Sequence, residues 1–362
     1  MEQLSTSVTE YLRADPFGFT TAQKEDQFLR LINRLTAHHA ELCPEYSRII
    51  SPLFPAGIEA KSLSEVPFIP VRLFKLLDLS SIPVADAVRT MTSSGTTGQQ
   101  VSRIFLDKET STAQTRALTQ IMGSVLGKSR MPMLVVDSSA VIKDRAMFSA
   151  RGAGIRGFSM FGKDIEYAFD ENMNLRIGEI NRFLDKHEGS PVFLFGFTFM
   201  VWEHLCEELR RRGQVISIPS GILLHGGGWK KLASLNISND EFRSAVRDTT
   251  GVQKVVNYYG MVEQTGSIFV ECDEGYLHSS SYSEIIVRDP VTYKVVANGS
   301  EGVIQVVSVL PMSYPGHSIL TEDMGTVVGD DDCRCGRPGR YFVISGRIKD
   351  AEVRGCSDTF AA

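Results

Sequence analysis

Four apolar runs, each ending in a polar or glycine-rich segment, constrain this chain's fold more than any other feature. MPMLVVDSS from Met131, VFLFG at 192–196, ISIPSGILLHGGGWK from Ile216 and KVVNYYG at 254–260 read as buried strands. An amphipathic helix is predicted after the second, through Trp202, Leu205, Cys206 and Leu209 to a stop at Gly213. Apolar strands alternating with helices imply an α/β sheet, and open α/β sheets bind ligands at the carboxyl ends of their strands. The loops after these strands are therefore where a site is expected.

The flanking regions differ in texture. Over the first 50 residues Phe28, Leu31, Ile32 and Leu35 recur at helical spacing, which predicts a helical cap. Beyond Leu277 the pattern turns to β, with EIIVRDP, YKVVANGSEG and VIQVVSVLP expected as short strands between Asp-Pro and Asn-Gly turns. At 362 residues with 43% apolar content, the chain can fill one large core or two ordinary ones. A net charge of −5 without a dense Lys/Arg block argues against nucleic acid as a partner. The longest apolar run, Pro191 to Trp202, is too short for the ~20 residues of a membrane helix. The amino-terminal segment lacks the basic-then-apolar pattern of a secretion signal, and six scattered cysteines give no disulfide framework, so a cytoplasmic setting is expected.

Chemistry concentrates in four segments. The first, MTSSGTTGQQ at 91–100, offers hydroxyls on Thr92, Ser93, Ser94, Thr96 and Thr97 and flexible backbone at Gly95 and Gly98, a composition suited to wrapping phosphates. It is not the usual P-loop, because Gln99 stands where a lysine would be needed. In the second, His225 is followed by Gly226, Gly227 and Gly228, whose missing side chains let a flat ring approach the backbone. In the third, NYYGMVEQ, Tyr259 can stack on a purine beside Gly260, and Glu263 can hold Mg²⁺ against phosphate oxygens. In the fourth, TEDMG and SGRIKD supply Asp323 for ribose hydroxyls and Arg347 for ribose or phosphate. Taken singly, the glycine segment after His225 is equally well an ordinary turn, and the other three read more readily as solvated loops or turns.

Together and in this order, the four resemble the adenylate-forming superfamily over residues 60–355. TSSGTTGQ is similar to its phosphate loop, YYGMVEQ to its aromatic-Gly-x-x-Glu segment, EDMG to its ribose aspartate and GRIKD to its hinge. Within the superfamily the chain resembles the LuxE-like acyl-protein synthetases, close to the phenylacetate-CoA ligases, through VPFIPVRLFK at 66–75 and its short length. The resemblance implies an α/β fold: the large amino-terminal domain of an adenylate-forming enzyme with a β-rich subdomain, the carboxy-terminal domain nearly absent. The implied division is a helical cap (1–60), an α/β adenylating core (61–276), a β-rich subdomain (277–345) and a hinge remnant with tail (346–362). Twelve residues follow Asp350, and none is the lysine that helps adenylation in longer relatives.

The resemblance also implies roles for the cysteines. Cys356 matches the residue that accepts the acyl chain as a thioester in the LuxE-like group; a free thiol of pKa ~8.5 near Arg354 would serve as the nucleophile. Cys272-x5-His278 and Cys333-x-Cys335 offer three sulfurs and an imidazole, a set suited to tetrahedral zinc, and similar segments pair in phenylacetate-CoA ligases. The reading is an AMP-forming acid–thiol ligase using ATP and Mg²⁺, with a structural Zn²⁺. It would activate a carboxylic acid, a fatty acid being one candidate, pass it to Cys356 and then to a reductase or carrier protein. Phe193, Phe195, Phe197 and Phe199 alternate as an acyl-pocket wall would, although an aromatic strand is more often simply core. The alternatives are a truncated ligase that loads coenzyme A or a carrier protein, and a non-catalytic nucleotide-binding relative.

Overall fold

A computed structural model describes residues 2–55, 57–93, 101–143, 150–227 and 237–348. Three helices open the chain: α1 (Glu2–Tyr11), α2 (Thr21–Leu42) and α3 (Pro44–Leu53). Thr20 caps α2 reciprocally with Gln23, and the α2 stripe of Phe28, Leu31, Ile32 and Leu35 is buried, as helical spacing requires. Buried Lys24 in the first turn of α2 donates to the Ser280 and Ser283 carbonyls and, at 3.0 Å, to Glu284 Oε2. Next come β1 (Ile69–Pro70), α4 (Leu73–Leu76), the hairpin strands β2 (Arg89–Thr92) and β3 (Arg103–Leu106), and α5 (Lys108–Leu126).

Residues 125–259 form a compact unit of their own. Its sheet contains β4 (Met131–Ser138), β5 (Gly162–Phe169), β6 (Val192–Phe197), β7 (Gly221–Gly226) and β8 (Lys254–Tyr259). The strands are all parallel, in the order β5-β4-β6-β7-β8. From β4 the chain moves outward to β5 and then returns to the other side for β6, so the order reverses between β4 and β6. Burial on both faces explains the unbroken apolar sequences of β4 and β6. The helix expected after β6 is present, but its first part, Met200–Cys206, is a π-helix; it ends at Gly213. The strand absent from the sequence reading, β5, presents Lys163, Asp164 and Ile165 to solvent, which hides it from an apolar search.

The chain then returns to the unit that holds its first 124 residues. Six strands follow: β9 (Phe269–Glu271), β10 (Leu277–His278), β11 (Ser283–Arg288), β12 (Glu301–Ser308), β13 (Ser318–Asp330) and β14 (Arg340–Arg347). They pair antiparallel in the order β11-β12-β13-β14-β10-β9, with β1 added parallel to β13. Two of the three strands expected beyond Leu277 form as β11 and β12. YKVVANGSEG forms no strand of its own; it is mostly exposed, held by one bridge, Arg288 to Val295, and by the Val296 N–H donating to the Val287 carbonyl at 3.0 Å, before its last two residues enter β12. The division into 1–124 with 260–352, and 125–259, differs from the sequence segmentation because the strands after Gly260 pack back onto the amino-terminal region. Among the described residues no helix is long and apolar enough to cross a membrane.

Candidate functional site

Residues 94–100 span the hairpin between β2 and β3, and Ser94, Gly95, Thr96, Thr97 and Gly98 lie outside the described residues. Thr92 pairs with Arg103, the Ser93 N–H donates to the Ser102 carbonyl (3.1 Å), and the Ser102 N–H donates to Ser93 Oγ (2.9 Å). The Ser102 hydroxyl in turn donates to Glu263 Oε1 at 2.6 Å. Glu263 occupies a single 3-10 turn, Val262–Gln264, and is 6% exposed. Burial pushes its carboxyl above the usual carboxylate range, opposed by the Ser102 bond and by the charges of Lys75 and Arg347. A buried carboxylate biased towards protonation is relieved by a cation, and Mg²⁺ typically takes one or two carboxylates plus substrate phosphates; Glu263 fits that use.

Asp323 and Arg347 are register partners on β13 and β14, and Arg347 Nε donates to Asp323 Oδ1 at 2.8 Å. Both are part-exposed, so the pair presents a carboxylate backed by a guanidinium. In the same unit, Gly260 is exposed.

In the parallel-sheet unit, Gly226 and Gly227 end β7, and Gly228 lies outside the described residues. A Cβ on Gly226 would meet the Tyr258 ring at 2.6 Å, so the flat ring resting on this backbone is the chain's own. Tyr259 ends β8, half-buried. Phe193, Phe195 and Phe197 are buried and Phe199 half-buried; Phe195 packs on Phe158 with ring centroids 4.7 Å apart.

The four residues of the cysteine–histidine set lie together. Cys272 directly follows β9 and His278 lies in β10, while Cys333 and Cys335 occupy the turn between β13 and β14. Pairing of His278 with Tyr341 joins the two segments, and Gly336 closes the Cys-x-Cys turn at φ +79 with its N–H donating to the Cys333 carbonyl. The four donor atoms all lie within 4.8 Å of one another. Cys272 Sγ and Cys333 Sγ are 3.9 Å apart, and Cys335 Sγ is 3.4 Å from His278 Nε2. A tetrahedral ion with Zn–S of about 2.3 Å has sulfur–sulfur edges of about 3.8 Å, so the Cys272–Cys333 edge already suits zinc and the donor set fits a tetrahedral ion. Without a metal, burial and the neighbouring thiols push Cys333 up to about 12, and burial, with Arg337 nearby, lowers His278 to about 4.

Cys356 lies outside the described residues. Sequence reasoning missed Ser102, which nothing in VSRIFL marks as polar contact to a carboxylate 161 positions away. It also missed Gln264, whose amide donates to the Gly316 (2.8 Å) and Val306 (3.2 Å) carbonyls and pins the turn that carries Glu263.

The family model for LuxE, the acyl-protein synthetase, matches residues 3–362. The chain belongs to the LuxE acyl-protein synthetase family. It is 23% identical over 357 residues to the long-chain-fatty-acid–luciferin-component ligase of Vibrio harveyi, the match covering 94% of this chain and 89% of that one. The ligase of the same name from Aliivibrio fischeri is 22% identical over 317 residues, 83% and 79% covered. Among solved structures, 2-hydroxyisobutyryl-CoA ligase in its postadenylation state, in complex with R3-HIB-AMP, aligns with a TM-score of 0.68 at 17% identity. That alignment covers 92% of this chain and 69% of the ligase. The fold is thus that of an adenylate-forming ligase. As a family member the chain is an acid–thiol ligase that activates a carboxylic acid with ATP and transfers the acyl group.

Proposed function

We propose that this protein adenylates a fatty acid and carries the acyl group on Cys356 before passing it to a partner protein. The observation that carries the nucleotide reading is Glu263, a buried carboxylate bonded through Ser102 to the base of the Thr/Ser/Gly loop. In the first half-reaction a carboxylate oxygen of the acid attacks the α-phosphorus of ATP, and the bond to the β-phosphate oxygen breaks to release pyrophosphate. The loop from Thr92 to Gly98 would hold the phosphates through backbone N–H groups and hydroxyls, and Asp323, oriented by Arg347, would accept from the ribose. Glu263 would hold Mg²⁺, which neutralises phosphate charge when bound. For Gly226, Gly227, Gly228, Tyr259 and Gly260 the nucleotide role rests on motif order in the sequence. In the second half-reaction the Cys356 thiolate attacks the acyl carbon, the acyl–phosphate bond breaks and AMP leaves.

Cys272, His278, Cys333 and Cys335 would hold a structural zinc, since all four positions of a tetrahedral ion are taken by protein donors. The names of the relatives support a long-chain fatty acid as substrate and a luciferin component, or a reductase in that role, as acceptor. A cytoplasmic setting is the one in which the free thiols and ATP are both available. The test is ATP–pyrophosphate exchange over a panel of carboxylic acids, with Glu263→Gln as control. Exchange that depends on a long-chain acid and falls about 100-fold in E263Q supports the reading; exchange unaltered in E263Q removes Glu263 from it.

A further inference from the structure

Ser102 joins two parts that the proposed reaction needs to act together. Its backbone is tied to Ser93 by two bonds, its carbonyl accepting from the Ser93 N–H at 3.1 Å and its N–H donating to Ser93 Oγ at 2.9 Å, and its side chain donates to Glu263 Oε1 at 2.6 Å. The residue is fully buried. A second tie runs parallel to it, the Thr265 hydroxyl donating to Met91 Sδ at 3.6 Å, so the strand leading into the loop and the Glu263 turn are linked on both sides. Gln264 fixes the opposite face of that turn through the Gly316 and Val306 carbonyls. Packing alone would be served by an apolar side chain at 102. A hydroxyl aimed at one oxygen of a buried carboxylate fixes that carboxylate's rotation as well as its position.

We propose that Ser102 is a positioning residue for the metal–nucleotide complex: its hydroxyl occupies one oxygen of Glu263 so that the other serves the cation. The proposal rests on Glu263 being the carboxylate that holds the cation. Loss of the hydroxyl should then weaken only the metal-dependent part of nucleotide binding. Nucleotide binding that needs no cation should persist.

The experiment titrates α,β-methylene-ATP into the full-length protein by calorimetry, with and without Mg²⁺, for wild type, Ser102→Ala, Ser102→Cys, Ser102→Thr and Glu263→Gln. Loss of a charge-assisted hydrogen bond to the carboxylate should raise the Mg²⁺ concentration for half-maximal binding about tenfold in S102A and in S102C, with metal-free affinity within about twofold of wild type. S102T, which keeps the donor, should restore the metal dependence. In pyrophosphate exchange the same variants should raise the KM for Mg²⁺ more than they lower kcat. S102C keeps the side-chain volume, so it carries the test if S102A fails to fold. Wild-type Mg²⁺ dependence in S102C while E263Q is weakened overturns the proposal and leaves the Glu263 reading standing. Equal weakening with and without Mg²⁺ shows a merely structural serine and also overturns it. Unchanged binding in E263Q overturns the reading of Glu263 itself.

Discussion

Replacing Cys333 by serine should abolish zinc binding and lower the stability of the unit that contains the cluster. The Cys272–Cys333 spacing of 3.9 Å already matches one edge of a zinc tetrahedron, and all four donors lie within 4.8 Å of one another. Taking about 10 kcal/mol, the lower end for structural zinc, gives an apparent Kd of about 50 nM. At about 10 µM free zinc the native state then gains RT ln(1 + [Zn]/Kd), or about 3 kcal/mol. In a unit on the order of 200 residues this corresponds to a melting midpoint about 6–12 °C higher with metal than without. Elemental analysis of protein purified without chelator should find about one zinc per chain in wild type and little in C333S. A strong chelator should lower the wild-type midpoint to that of C333S and leave C333S unmoved. Metal-free wild-type protein, or a midpoint indifferent to chelator, would refute the reasoning.

Asp323→Ala should raise the ATP concentration needed for half-maximal exchange about tenfold, since a charged acceptor and the anchor of Arg347 are both lost; an unaltered requirement counts against the ribose role. Stability should fall as pH drops below about 6.5. His39 is fully buried and held well below its ordinary value, and His225 and His317 are lowered to about 3, by burial first and then by neighbouring positive groups. Each is neutral when folded and protonates near pH 6.5 when unfolded, so for His225 and His317 the unfolded state binds more protons between about 3 and 6.5, at up to about 1.4 kcal/mol per pH unit for each, and His39 acts in the same direction below 6.5. Urea midpoints at pH 7.5, 6 and 5 check this, and a flat profile contradicts it.

The parallel strands were readable because burial on both faces demands continuous apolar sequence, as in MLVV and FLF. Edge strand β5 was not, because its solvent-facing residues break that pattern. TEDMG read as a charged turn, yet it lies inside the 13-residue strand β13: Asp323 and Arg347 face each other there only through a ladder interrupted by two register shifts. Their mutual bond, like that between Ser102 and Glu263, comes from long-range pairing that local spacing does not encode. The cysteine cluster was legible because three thiols and an imidazole suit tetrahedral zinc and because the resemblance pairs these two segments, whereas nothing marks a lone serine.

The central claim, activation of an acid followed by its transfer to Cys356, is tested most directly by labelling the protein with a radioactive fatty acid and ATP in wild type and Cys356→Ser. Adenylation needs no thiol, while the covalent intermediate needs this one. The account predicts pyrophosphate exchange largely intact in C356S and hydroxylamine-labile label on the protein abolished. Label that persists in C356S would contradict the assignment of the acceptor, and exchange lost together with label would show that the tail serves the first half-reaction instead.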